Sequence, residues 1–219
     1  VMGGVVAVFE MPNTNPTTTN PEAFADKLQR AHHRMHCDHA FYVGGTHENV
    51  HELGELERLK GCCGVKVFMG ASTGTLLIAD DEGVAKVLAN VNRRATFHSE
   101  DEYRLAERRP LARENDWTSH EGGRDAQTAI QSTQRLVRLA REAGKRIHVL
   151  HVTTREEIEF LGRLRFERKR PTPLYYYREL QNLRDPVHFR VVERHPARIV
   201  ARKTSGPPRV SGGSARCPR

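Results

Sequence analysis

The sequence predicts an α/β fold built on a parallel sheet, and three observations carry that prediction. Five short, nearly all-apolar segments alternate with five amphipathic ones along residues 3–164, the order expected of consecutive βα units whose strands are covered on both faces. No G-x-G-x-x-G and no G-x-x-x-x-G-K-[ST] follows any apolar segment, which argues against the nucleotide-binding forms of an open, doubly wound sheet. Asn13, Lys66, His98 and His151 lie within or at the C-terminal end of four different apolar segments, the edge on which a β/α barrel builds its site. A barrel is therefore favoured over an open sheet. With about five units where a closed barrel has eight, it is an incomplete one.

Gly3 to Met11 is a continuous apolar, β-branched run closed by Pro12 and Asn13, and it reads as a strand buried on both faces. Asn20-Pro21 opens a helix with Phe24, Leu28, Ala31 and Met35 at i, i+4, i+7 and i+11. The second strand spans 39–43 and ends in Gly44-Gly45; Thr46 with Asn49 begins a helix carrying Val50, Leu53, Leu56 and Leu59. The third strand, 64–69, contains Lys66 and runs into a Gly/Ser/Thr loop from Gly70 to Gly74. A helix over 81–92 follows, with Val84, Val87, Leu88 and Val91 on one face, and then a strand at 95–98 ending in His98. Ser99 to Arg124 is polar and charge-rich, without a clear period. A long amphipathic helix is predicted from Asp125 to Ala143, stopped by Gly144. Ile147 to Val152 is the fifth strand. The last helix covers 154–164, where Thr154 and Glu157 have capping-box spacing.

Charge divides the chain in two. Residues 1–162 hold 20 Lys+Arg against 23 Asp+Glu, while 163–219 hold 15 against 4, so the net charge of +8 belongs to the tail. We read 1–162 as the barrel portion and 163–219 as a basic, low-order tail, either disordered or the product of a non-native reading frame. Its 13 arginines could engage phosphates. Regularly interleaved aromatics are missing, and Tyr175-Tyr176-Tyr177 is one isolated cluster, so nucleic acid is not favoured as a partner. No run of ~18 apolar residues predicts a membrane span, and Val1 to Glu10 lacks the basic flank and cleavage site of an export signal. Cys37, Cys62, Cys63 and Cys217 form neither a C-x-x-C pair nor a disulfide-like spacing, which points to a reducing, cytoplasmic setting.

Four residues carry the chemical expectation. A lysine inside Val-Lys-Val-Phe-Met is costly to bury unless it is paired, metal-bound or modified, which singles out Lys66. His98 and His151, on successive strand ends, supply imidazoles that can converge on one ion such as zinc. His148, three residues before His151, has the opposite strand parity and is expected to face away from it as a structural residue. His32, His33, His36 and His39 surround a helix end, where capping and dipole roles are expected.

These segments resemble the dihydroorotases of the amidohydrolase superfamily, metal-dependent hydrolases of cyclic amides. The likeness rests on Gly3-Gly4-Val5 through Met11-Pro12-Asn13-Thr14-Asn15-Pro16, on Gly64-Val65-Lys66-Val67-Phe68-Met69-Gly70, on His98-Ser99-Glu100-Asp101, and on Ile147-His148-Val149-Leu150-His151-Val152, in family order. The resemblance implies a β/α barrel whose two-metal ligands come from strands one, four, five, six and eight, the first strand here being strand two. Lys66 takes the place of the carboxylated lysine bridging two zinc ions, His98 and His151 take those of the strand-five and strand-six ligands, and Asn13 that of the residue binding the substrate carboxylate. It implies hydrolysis of dihydroorotate to N-carbamoyl-L-aspartate in pyrimidine biosynthesis, or the reverse ring closure. Allantoinase and hydantoinase are alternatives. The implied partners are a small cyclic amide, a homo-oligomer or aspartate transcarbamoylase.

The sequence also departs from that pattern. The family's His-x-His pair, its Asp acid/base and its Thr-Pro-His-His stretch have no counterpart in these 219 residues, as in a fragment lacking the first strand and the C-terminal part of the barrel. Glu121-Gly122-Gly123-Arg124 replaces a Pro-Val-Trp-Arg type stretch, and Thr153-Thr154 stands where Ser-Thr is usual. The chain alone is thus expected to be inactive or nearly so, and a non-catalytic, dihydroorotase-like scaffold is the reading from a different functional class.

Overall fold

The computed structural model describes residues 2–72, 74–166, 175–176, 191–193 and 199–201. The chain divides into two units, Val1–Tyr177 and Arg178–Arg219. The first is an all-parallel sheet of six strands, β1 (Ala7–Glu10), β2 (Asp38–Gly44), β3 (Cys62–Phe68), β4 (Ala95–His98), β5 (Ile147–Val149) and β6 (Tyr175–Tyr176), paired in sequential order. An open doubly wound sheet reverses its strand order at a switch point. Strict 1-2-3-4-5-6 order is that of a partial β/α barrel. In the second unit the described residues form an antiparallel pair, β7 (Val191–Glu193) and β8 (Ile199–Ala201).

Seven helices connect the described strands: α1 (Pro21–Ala31), α2 (Leu53–Leu56), α3 (Asp81–Asn90), α4 (Glu102–Arg108), α5 (His120–Gly123), α6 (Ala126–Glu142) and α7 (Arg155–Phe166). The starts of α1, α3 and α6 follow local chemistry. The side chains of Asn20, Asp80 and Asp125 accept the backbone N–H groups of Ala23, Gly83 and Thr128, leaving fewer orphan donors at each N-terminus. Gly144, at φ +62, ends α6 in the left-handed conformation that glycine adopts without strain.

The apolar core lies between the sheet and these helices. Val43, Val65, Val67, Met69, Phe97, Ile147 and Val149 point outward onto Phe24, Leu53, Val84, Leu88, Leu136 and Leu161. Intervening strand residues (Tyr42, Lys66, Thr96, His98 and His148) have the opposite parity and form a polar inner face.

Four expectations need correction. The 3–11 run is not buried on both faces: only Ala7–Glu10 is strand, and Val5, Val6, Val8 and Phe9 are exposed because β1 is the sheet's edge. Helix α1 ends at Ala31, so Met35 leaves the apolar stripe and is exposed. The helix expected after Thr46 shrinks to the single turn Leu53–Leu56. Asn49 is the cause, since its amide donates to the carbonyls of Thr19 (2.7 Å) and Gly44 (2.8 Å) while its Oδ1 accepts from Thr46 N, holding the segment as a turn. The aperiodic stretch from Ser99 to Arg124 contains α4 and α5, which bury little beyond Leu105 and Gly123 and so leave no apolar period to read. Most of the tail expected over 163–219 lies outside the described residues; within it, α7 continues to Phe166, and Tyr175 and Tyr176 pair with His148 and Val149.

Candidate active site

In a parallel sheet all C-terminal strand ends share one edge, and the four residues singled out by sequence lie within or just beyond those ends. Asn13 is an exposed residue of the turn after β1. That turn is fastened to β2: Thr18 N donates to Pro12 O, and Gly44 N donates to Thr18 O at 2.8 Å.

Lys66 is 2 % exposed. Its Nζ donates to the carbonyl of Val67 at 2.7 Å and sits 3.5 Å from the centroid of the Phe68 ring. Burial pushes its pKa down to about 6, because a low-dielectric surrounding penalises the ammonium form. At pH 7 Lys66 is therefore mostly a neutral amine resting on an aromatic face. Phe68 in turn packs against His98, ring centroids 5.8 Å apart, so one contiguous chain of contacts joins the lysine to the histidine.

His98 and His151 meet directly, with His98 Nδ1 2.8 Å from His151 Nε2. The other nitrogen of His98, Nε2, lies 2.5 Å from Glu100 Oε2, and Arg124 pairs with the same carboxylate, Nε to Oε1 at 3.0 Å. Burial pulls the pKa of Glu100 upward, but hydrogen bonds from His98 and Arg124 outweigh it and hold it at about 2. An ionised carboxylate only accepts, so His98 Nε2 carries a hydrogen and donates it to Glu100. Burial first, then His98 and Lys66, depress His151 to about 4, which keeps its imidazole neutral at pH 7.

His151 reaches this position through its backbone. It has φ +35, in the left-handed region that non-glycine residues seldom occupy. The turn there breaks strand alternation: Ile147 and Val149 face the outer core, and so does Val152, while His151 joins His98. The parity argument that set His148 apart fails for this reason. His148 pairs in register with Thr96, which pairs with Lys66, so all three lie on one inner face. Burial lowers the pKa of His148 as well.

Glu100 and Arg124 belong to the site though the sequence reading gave them no role. Glu100 stands two residues beyond a strand-end histidine, a signal available in the sequence. Arg124 arrives from 24 residues away and could not be placed without the fold. Gly70 adds a backbone requirement, since a Cβ there would come within 2.6 Å of the Glu100 carbonyl.

The donor set bears on metal binding. His98 and His151 bring their nitrogens together, Glu100 anchors the far side of His98, and the buried amine of Lys66 has no carboxylate partner among the described residues; imidazoles with such an anchor are donors that can hold part of a metal centre. Among the described residues no group of three His, Cys, Asp or Glu gathers as a complete set, so the residues fit as part of a centre whose remaining donors are not among them.

No family model matches the chain. It is 29% identical over 173 residues to L-hydantoinase of Paenarthrobacter aurescens, covering 76% of this chain and 38% of that protein. It is 30% identical over 172 residues to dihydroorotase of Methanosarcina mazei (77% and 37%), and 33% identical over 162 residues to allantoinase of Rubrobacter xylanophilus (69% and 35%). Its fold matches the solved L-hydantoinase of Arthrobacter aurescens with a TM-score of 0.68 at 28% identity, over 75% of this chain and 38% of that one. The chain thus spans little more than a third of the length of the curated relatives it matches. Through these homologues, and over about three quarters of its length, the chain belongs to the cyclic amidohydrolases of the amidohydrolase superfamily, the group of the hydantoinases, dihydroorotases and allantoinases.

Proposed function

We propose that this chain contributes Lys66, His98 and His151 to the metal centre of a cyclic amide hydrolase, with dihydroorotate as the ring. The observation that carries the proposal is the joining of Lys66, Phe68, His98 and His151 in one contact chain at the C-terminal strand edge. Zinc, when bound, would supply hydroxide near neutral pH and polarise the scissile carbonyl. The neutral amine of Lys66 is the form that takes up carbon dioxide, forming an N–C bond and releasing one proton, and the resulting carbamate anion would serve as a metal ligand. His98 would offer Nδ1 and His151 Nε2. Glu100 and Arg124 hold the His98 ring. Asn13 on the neighbouring loop would donate its side-chain N–H to a ring carboxylate, which is why dihydroorotate is preferred over the uncharged hydantoin ring.

The test is a hybrid in which residues 1–162 replace the matching segment of the Methanosarcina mazei dihydroorotase, assayed with Zn²⁺ on dihydroorotate, allantoin and hydantoin. Turnover of dihydroorotate that disappears in Lys66→Ala is expected. Faster hydrolysis of either other ring would overturn the substrate assignment. The chain alone is expected to show almost no turnover, having no counterpart of the family's acid/base Asp. A hybrid that folds and binds Zn²⁺ yet hydrolyses none of the rings would favour the scaffold reading.

A further inference from the structure

Behind the two histidines lies a row of buried hydroxyls. Ser99, the residue after His98, is 3.0 Å from Thr133 of α6 and 3.2 Å from Ser132. The Thr133 hydroxyl is 2.8 Å from Glu157 Oε1, and Glu157 Oε2 is 2.9 Å from the hydroxyl of Thr154, three residues after His151. Glu157 is 3 % exposed, and Ser99, Ser132 and Thr133 are equally inaccessible. Helix capping accounts for the Thr154–Glu157 contact, where Glu157 N donates to the Thr154 hydroxyl at 3.2 Å. It does not account for the branch through Thr133 to Ser99.

The direction of the chain follows from proton counting. A carboxylate only accepts, whereas each hydroxyl donates once. Thr133 and Thr154 therefore both donate to Glu157, Thr133 accepts from Ser99, and Ser99 accepts from Ser132. Every buried hydroxyl hydrogen is then used, and the donors from the loop after β4 and the loop after β5 converge on Glu157. A buried network satisfied throughout is rigid, because each member that moves leaves a partner unpaired at a cost of about 1–3 kcal/mol.

We propose that Glu157, acting through Thr133 and Ser99 on one side and Thr154 on the other, is a positioning residue that sets the separation of His98 and His151. It ties together two loops that touch otherwise through the histidines and the Leu150 N to Phe97 O bond. The proposal rests on the reading of His98 and His151 as a ligand pair, and the experiment separates the two.

Imidazole ¹H–¹⁵N spectra of the metal-free chain, assigned with His98→Gln and His151→Gln, are compared for the unmodified protein, Thr133→Val, Glu157→Ala and Glu157→Gln. Thr133→Val cuts the tie while leaving the α7 cap whole, so it is decisive even if Glu157→Ala does not fold. Both ring signals are expected to move in Thr133→Val and to return toward their original positions in Glu157→Gln, which keeps an acceptor for Thr133. Signals from His32, His33, His36 and His39, beside the N-terminal end of β2, should stay. In a Zn²⁺ titration Thr133→Val should bind about 10- to 100-fold more weakly. Unmoved ring signals in a folded Thr133→Val, or zinc affinity equal to that of the unmodified chain, would overturn the proposal. If Zn²⁺ moves neither ring in the unmodified chain, the ligand reading fails instead, and the metal-free shifts still decide the role of Glu157.

Discussion

Replacing Lys66 by Met should stabilise the metal-free protein, by an amount that depends on pH. The amine is buried with Val67 O and the Phe68 ring for company, and burial moves its pKa from 10.5 to about 6. Between those two values the unfolded chain holds a proton that the folded chain does not, so stability rises with pH across that window, by up to about 1.4 kcal/mol per unit. At pH 7 the accumulated cost of leaving that proton behind is about 5 kcal/mol. Met has similar length and no charge to desolvate; it forfeits the hydrogen bond to Val67 O, worth about 1 kcal/mol. Lys66→Met is therefore expected to gain roughly 2–4 kcal/mol at pH 7 once cavity mismatch is included, with the advantage shrinking toward pH 10. Urea denaturation in carbon dioxide-free buffer between pH 6.5 and 9.5 measures it. Parallel stability curves for the two proteins, or a Lys66→Met variant less stable at pH 7, would refute the reasoning.

Three further outcomes are expected. His151, lowered to about 4 chiefly by burial, should titrate near that value by NMR; the unfolded chain takes up its proton first, so stability falls as pH drops from about 6.5 to about 4, and an inflection at the ordinary value would contradict the contact with His98. Glu100→Gln should cost about 1–2 kcal/mol at pH 7 after allowing for solvent screening of its partners. Its pKa is depressed, so the stability it adds is present above its unfolded value and lost as pH falls toward 2; melting curves of variant and parent should converge there. Asn49→Ala leaves Thr46 N, Thr19 O and Gly44 O without their partner, a loss of about 2–4 kcal/mol, and a melting temperature lowered by less than about 5 °C would show that the loop after β1 is held by something else.

Much of the sheet was legible in the chain itself. Each outward-facing strand residue, from Val65 and Val67 to Ile147 and Val149, belongs to an apolar run that has to be covered, and Asn20, Asp80, Asp125 and Gly144 mark helix ends by chemistry that acts within four residues. Lys66 was legible for the same reason, since a lysine among Val, Val and Phe has no inexpensive local explanation. What the tertiary structure alone decided are the features set by residues distant in sequence. Sheet order made β1 an edge and left Val8 and Phe9 exposed despite their composition. The reach of Asn49 to Thr19 unmade a helix that its neighbours favour. A left-handed turn at His151 reversed the alternation from which His148 had been placed, and Arg124 and Thr133 came to Glu100 and Ser99, beside His98, across 24 and 34 residues by way of α6 and the loop before it. Local pattern fixes which side chains must be buried and where elements start; which polar groups meet depends on chain closure, and no periodicity in the sequence encodes that.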